Sequence, residues 1–187
     1  MKKLILFMFS MIFSFSFSQK KIENISEIKT LDLVVKEKSF YSNKSENKVY
    51  KLKYIVPNIM KKEMIEPESH RGEIFIYKDG IKKTYLPIFD EVLEDKKAPE
   101  ENFVVETISL LQEKDKEDKK FRKLYNSGKD IQIRNKNITI RLGDLKLIKN
   151  YYIPTNIEVY DNNELAGKLI ILDAKVNKKI DEKEFEI

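Results

Sequence analysis

The side chains able to do chemistry in this sequence are few and scattered. Its only histidine, His70, stands in a polar stretch with Glu68 and Arg71. A lone loop histidine reads as a solvent-exposed bystander rather than as a general base or a ligand. Cysteine is absent, so a transition-metal site would need mostly carboxylates, which suit calcium or magnesium better, and no EF-hand spacing occurs. The serines lack a Gly-x-Ser-x-Gly context, and five glycines are too scattered to cradle a phosphate. The acid pairs Asp90-Glu91 and Glu100-Glu101 fall in charged connections and read as solvated groups. A glycosidase needs two carboxylates set across a cleft, and nothing in the spacing favours that. The expectation is a protein that is not an enzyme and uses no metal and no cofactor.

Charge and export narrow the choice further. The chain has 36 basic and 31 acidic residues and a formal charge of +5. Such a surface keeps a protein soluble without indicating nucleic acid, and no basic block with interleaved aromatics occurs. Lys2 and Lys3 precede an apolar run from Leu4 to Phe17 broken only by serines, and Ser16 and Ser18 sit at the −3 and −1 positions of a cleavage site. That pattern predicts a signal peptide over residues 1–18, shorter than the roughly 20 residues of a spanning helix. The mature chain is expected to begin at Gln19, outside the cytoplasm, with side chains carrying +3 once the two leader lysines are gone. Without a cysteine at the cleavage point it has no thiol for a lipid anchor. Residues 19–187 suit a single domain.

The elements that must position any site are mostly strands. Leu31, Leu33 and Val35 alternate with Asp32, Val34 and Lys36, the period-two pattern of a strand. Ser42 to Lys48 reads as a turn. Tyr50, Leu52, Tyr54 and Val56 alternate with Lys51, Lys53 and Ile55; Pro57-Asn58 interrupts, and the segment resumes through Ile59, Met60, Met64 and Ile65 to Pro67. Glu73 to Tyr77, the turn signal Asp79-Gly80 and Lys82 to Leu86 predict a hairpin. From Phe103 to Tyr125 the period becomes helical, as one long helix or as two short ones broken near Lys114 to Asp115, with stop signals at Asn126 to Gly128. Ile131 and Ile133 then pair with Ile138, Ile140 and Leu142 across Asn135 to Asn137. Leu145, Leu147, Ile157, Val159, the turn Asp161 to Asn163, Leu169 to Leu172, Val176 and Phe185 complete the pattern.

About nine or ten hairpin-connected strands with one helical insertion predict an α+β, mainly β fold. A sheet of that many strands curls, so the expected form is an incomplete, strongly curved antiparallel β-barrel with a helical lid. The apolar face then either encloses a hydrophobic cavity or forms an ordinary closed core; periodicity alone allows both. The closed alternative would suit a secreted protein that works through its surface.

Two stretches carry a resemblance. The segment from Val56 to Pro67, followed by Gly72 to Tyr77, Asp79-Gly80 and Tyr85-Leu86-Pro87, resembles the LolA-type periplasmic lipoprotein carriers. So does the C-terminal part from Ile153-Pro154 to Asp161 and from Asp173 to Asn177 and Phe185. The resemblance implies a half-barrel that shields the acyl chains of lipoproteins and ferries them through the periplasm. An inner-membrane release complex would be the donor and an outer-membrane component the acceptor. The same fold also implies an alternative, an envelope stress sensor or scaffold binding a lipoprotein or a partner protein. No nucleic acid and a monomeric state are expected. On this reading Leu33, Val35, Leu52, Tyr54, Val56, Met60, Met64, Ile74, Ile76 and Tyr85 line the lipid cavity, and Phe103, Ile108 and Leu111 form the lid. Leu52→Glu is then expected to abolish acyl-chain binding in a folded protein. Many carriers of the family place an arginine that tethers the lid where this chain has Val56, so either the lid here is held otherwise or its opening cycle differs. The N-terminal helix expected before the first strand is thin, limited to about residues 20–29.

Overall fold

The structure is a computed structural model that describes residues 21–41, 44–96 and 102–187; the leader predicted over residues 1–18 lies outside them. Ten strands form one antiparallel sheet: β1 (Thr30–Tyr41), β2 (Lys44–Ile55), β3 (Ile59–Glu66), β4 (Ile74–Lys78), β5 (Ile81–Leu86), β6 (Glu91–Asp95), β7 (Ile131–Asn135), β8 (Ile138–Ile148), β9 (Tyr151–Asp161) and β10 (Glu164–Val176). Their spatial order is β6-β5-β4-β3-β2-β1-β10-β9-β8-β7. The first and last strands therefore pair at the centre, and β6 and β7 remain as two open edges. Helices α1 (Phe103–Glu117) and α2 (Lys119–Tyr125) connect those two edges. This is the open, mainly β half-barrel with a helical cover that the alternation predicts.

Local chemistry sets the hairpins. Asp79 and Gly80 have φ of 54° and 75°, and Asn162 and Asn163 have 48° and 69°. Two successive left-handed residues match the right-handed twist of the strands they join. The β1–β2 hairpin is longer than the sequence suggests, because Lys44 to Lys48 pair with Tyr41 to Glu37 rather than forming a turn. Those residues alternate charged and polar side chains, with no apolar face to betray a strand. The exposed edge strand β6 escapes the hydrophobic pattern because its two apolar residues, Val92 and Leu93, are adjacent and do not alternate.

The helical break falls at Asp118, not at Lys114 to Asp115. The Asp118 carboxylate accepts from the backbone N–H of Lys120 (2.7 Å) and Phe121 (3.1 Å), capping α2 as α1 ends. Among the described residues before β1, the one helical element is a 3-10 turn, Ile25–Glu27. Phe185 lies not on a strand but in another 3-10 turn, Glu182–Phe185, opened by a capping box at Asp181.

The core lies between the helices and the concave face of the sheet. Leu31, Leu33 and Val35 of β1 stand opposite Tyr54, Leu52 and Tyr50 of β2, and all are buried. Ile25, Ile28 and the α1 residues Val104, Ile108 and Leu111 belong to the same cluster. Leu52 is fully buried at 0% exposure, so Leu52→Glu places a carboxylate in packed core instead of probing a cavity selectively. Burying an unpaired charge costs several kcal/mol. The expected outcome is loss of cooperative urea unfolding for Leu52→Glu, while Leu52→Ala unfolds cooperatively with a loss of about 2–5 kcal/mol. A Leu52→Glu variant with native stability would contradict this packing.

Candidate functional site

The concave face and its helical cover form the candidate site, and strand register decides which residues reach it. Met60, Lys62 and Met64 of β3 face Tyr54, Leu52 and Tyr50, so they share the helix side. On β4 the partners of Met60 and Lys62 are Tyr77 and Phe75. Ile74 and Ile76 therefore point to the convex side, and Tyr85, opposite Ile74, points there too. These three corrections to the expected cavity set have one cause. Strand β4 reads Ile-Phe-Ile-Tyr, apolar on both faces, because the C-terminal turn covers its convex side. Ile76 and Phe185 are both buried, at 2% and 4% exposure. Lys53 pairs with the Glu184 carboxylate, Lys61 donates to the Glu184 carbonyl at 2.9 Å, and Lys78 donates to Glu182 at 3.2 Å.

The other expected lining residues divide into filled core and accessible wall. Leu33, Val35, Leu52 and Tyr54 are packed solid, and Met60 and Met64 are buried beside them. Val56 is half-buried against the same cluster. Of the expected lid residues, Ile108 and Leu111 are core, while Phe103 is half-buried. Phe75 and Tyr77, absent from the expected set, take the inward positions on β4.

A hollow does remain beneath the cover. An apolar cleft of about 230 Å³ lies between α1 and strands β7–β9, lined by Phe103, Glu106, Thr107, Leu110, Ile133, Asn135, Ile138, Ile140 and Val159. Gly167 on the neighbouring strand helps form it: a Cβ there would sit 3.5 Å from the Phe103 ring, so the ring lies directly on the strand backbone. This cleft is on the opposite half of the sheet from the strands that the sequence nominates. Its signal was present in the inward Ile133, Ile138 and Ile140, which read equally well as core.

The helical cover is tied down by polar groups. Asn102 caps α1, accepting from the N–H of Val104 at 3.0 Å and of Val105 at 3.2 Å. Gln112 donates to the carbonyls of Ile25 (3.1 Å) and Ile28 (2.9 Å). The fully buried Asp115 carboxylate accepts from the Ser26 N–H (3.2 Å), from the Ser26 hydroxyl and from Arg122 Nε (3.2 Å). Tyr125 donates its hydroxyl to the Tyr152 carbonyl at 2.9 Å, and burial pushes that hydroxyl far above the ordinary phenol range. Together these contacts pin both helices to the segment before β1 and to β9, with no arginine at Val56.

The remaining concave residues on β3 to β5 are aromatic and cationic. The Lys62 ammonium stands 4.6 Å from the centre of the Phe75 ring and 5.5 Å from that of Tyr50. Lys82 approaches Phe75 at 5.9 Å. Burial pulls the Lys62 amine below its usual range; the nearby Glu37 opposes this, and Lys48 and Lys82 add to it. Tyr50 is buried against Glu37, to which it donates at 2.9 Å, and both effects hold its hydroxyl well above the usual value. His70 sits away from all of this, half-exposed, with Nδ1 2.9 Å from Glu73. No cluster able to hold a metal ion occurs among the described residues.

No family model matches the sequence, and no curated protein is detectably similar to it. Solved structures do match, across most of the chain. A candidate outer membrane lipoprotein-sorting protein domain from Vibrio parahaemolyticus aligns at 11% identity with a TM-score of 0.55, covering 88% of this chain and 91% of its own. A LolA superfamily protein from Nitrosomonas europaea aligns at 12% identity and TM-score 0.56, over 86% of this chain and 91% of its own. A DUF1329 family protein from Desulfovibrio piger gives 12% identity and TM-score 0.56, over 87% and 91%. At these identities the likeness is one of fold: the chain folds as LolA-superfamily and lipoprotein-sorting domains do.

Two outcomes follow from the tethers. Gln112→Ala leaves the Ile25 and Ile28 carbonyls without their donor, a loss of about 1–3 kcal/mol. Hydrogen exchange should accelerate along α1 while β8 and β9 keep their protection; uniform acceleration would contradict a tether specific to the helix. The Asp118 carboxyl is held below its usual range by the N–H groups of Phe121 and Lys120. Its contribution is therefore present above the ordinary carboxylate pKa of about 4 and lost as pH falls through the lower folded-state value. Asp118→Asn, which keeps a capping oxygen but does not titrate, should flatten that part of the acid-unfolding profile.

Proposed function

We propose that this protein is a periplasmic carrier that shields the acyl chains of lipoproteins and moves them between the inner and outer membranes, without catalysis. The observation that carries the proposal is the apolar cleft between α1 and the concave face of an unclosed sheet. A filled core would have left no such space. Each methylene removed from water contributes roughly 0.8 kcal/mol, so a cleft of this kind has a real affinity for hydrocarbon. Its walls are mostly Phe, Leu, Ile and Val side chains, with Glu106, Thr107 and Asn135 among them, and binding by the apolar part is set by buried area. The open edges of the sheet would let the space at the flank enlarge while Val104, Ile108 and Leu111 keep α1 seated in the core. Acyl chains longer than the present cleft can hold would need that enlargement.

The fold shared with a LolA superfamily protein and a lipoprotein-sorting domain supports the same reading. So does the predicted leader, which would deliver the chain to the compartment where such a carrier works. Transfer also requires release. A ligand moves only down a free-energy difference, so the cleft must hold chains less tightly than the acceptor does.

Ile138 is the residue with which to test this, because it lines the cleft yet is 37% exposed. A charge there is tolerated by the fold and disfavours hydrocarbon. Titration of a fluorescent fatty-acyl probe should give saturable binding to the mature protein. Ile138→Glu should weaken it at least about tenfold, equivalent to 1.4 kcal/mol, with unchanged circular dichroism. Absence of saturable binding by the parent protein would overturn the proposal.

A further inference from the structure

The turn between β5 and β6 holds two apolar side chains out in water. Ile88 is 78% and Phe89 70% exposed, and Val92 and Leu93 on the strand that follows are 46% and 49% exposed. The turn has defined internal bonds. The Phe89 N–H donates to the Leu86 carbonyl at 3.1 Å, the Tyr85 hydroxyl donates to the Asp90 carboxylate at 3.0 Å, and Asp90 takes a left-handed φ of 50°. Strand β6 ends the sheet, every one of its residues is exposed, and among the described residues no strand pairs with its outer side. Charged residues on an edge protect it from unwanted pairing; an exposed Ile-Phe pair at its head does the opposite. Exposed apolar side chains grouped in this way mark an interaction surface. The charge beside them is negative. Lys83 and Lys82 stand opposite Glu94 and Asp95, whereas Glu91 stands opposite Leu86. The surplus of acid therefore lies at the turn, in Asp90 and Glu91, next to the apolar pair.

We infer that β6 and the turn before it dock an extended segment of a partner protein, one that carries lysine or arginine beside apolar residues. The segment adds a strand to the open edge, and its backbone pairs with the outer N–H and C=O groups of β6. Its apolar side chains cover Ile88, Phe89, Val92 and Leu93, and its cations meet Asp90 and Glu91. A lipid surface offers no ladder of partners to a strand edge, and anionic lipid is repelled by those two acids. A second copy fits no better. Pairing β6 with itself sets acids against acids, and pairing it with the other open edge, β7, joins copies head to tail without closing. The surface lies at the opposite edge of the sheet from the cleft, so the inference is independent of chain binding.

Three short labelled peptides, titrated into the mature protein by fluorescence anisotropy, separate the contributions. Alternating lysine and valine is expected to bind saturably. Alternating glutamate and valine reverses the charge, and alternating lysine and proline removes N–H groups that a ladder needs. Each of these two should bind at least about tenfold more weakly. Hydrogen exchange should slow at Glu91–Asp95 when the first peptide is bound. Phe89→Ser should weaken that peptide about tenfold while β1 and β2 keep their protection. Absence of saturable binding by the lysine–valine peptide, equal affinity for all three, or unchanged exchange at β6 would overturn the inference. So would Phe89-dependent binding of phosphatidylglycerol vesicles, which would assign the surface to a membrane. Phe89-dependent self-association in sedimentation would assign it to a second copy and overturn the inference as well.

Discussion

A ten-stranded sheet must cover one apolar face, and one short helical layer is too narrow to do it. Neighbouring strands are about 4.8 Å apart, so the sheet spans roughly 43 Å before curvature, whereas a helix is about 10 Å wide. Curling the sheet reduces the mismatch without removing it. The helices, together with Ile25 and Ile28, therefore fill the centre over β1, β2 and β10 and leave the flanks incompletely covered. The cleft against β7–β9 and the aromatic and cationic surface of β3 to β5 are the two consequences.

The central packing and the flanking space play opposite thermodynamic parts. Leu33, Val35, Tyr50, Leu52 and Tyr54 are buried as deeply as any residues in the chain and supply the apolar burial that folding needs. The flanks also bury Ile131, Ile133, Ile140 and Val159, and the cleft lies beside these residues. The helix between them is held by the burial of Val104, Val105, Ile108 and Leu111 and oriented by hydrogen bonds that Gln112 and Asp115 make with the segment before β1. Directional contacts of that kind fix one arrangement, though each is worth only about 1 kcal/mol net.

The C-terminal turn shows how covering one more patch changes what a strand says about itself. With Phe185 and Ile76 both buried beside one pocket, and by the contacts of Lys53, Lys61 and Lys78 with Glu182 and Glu184, it covers part of the convex side of β3 and β4. A strand buried on both faces loses the alternation that reports its orientation.

The amino-acid sequence by itself determined the number of strands to within one, most of their turns, the helical insertion and the resemblance that places the fold, because alternation and turn chemistry are local. It also determined the inward faces of β1 and β2, where apolar and charged residues alternate cleanly. Tertiary structure alone decided that Ile74, Ile76 and Tyr85 face outward and Phe75 and Tyr77 inward. That parity depends on pairing with β3, and a step of one residue reverses every side chain. It also decided that Gln112 and Asp115, unremarkable polar residues on a helix, hold the cover, since their partners Ile25, Ile28 and Ser26 lie more than eighty residues away. Whether an apolar position is core or cleft was settled in the same way. Leu52 and Ile138 have similar chemistry, and what separates them is their place in the sheet: Leu52 lies on central β2 and is fully buried, whereas Ile138 lies on β8 beside the open edge and lines the cleft.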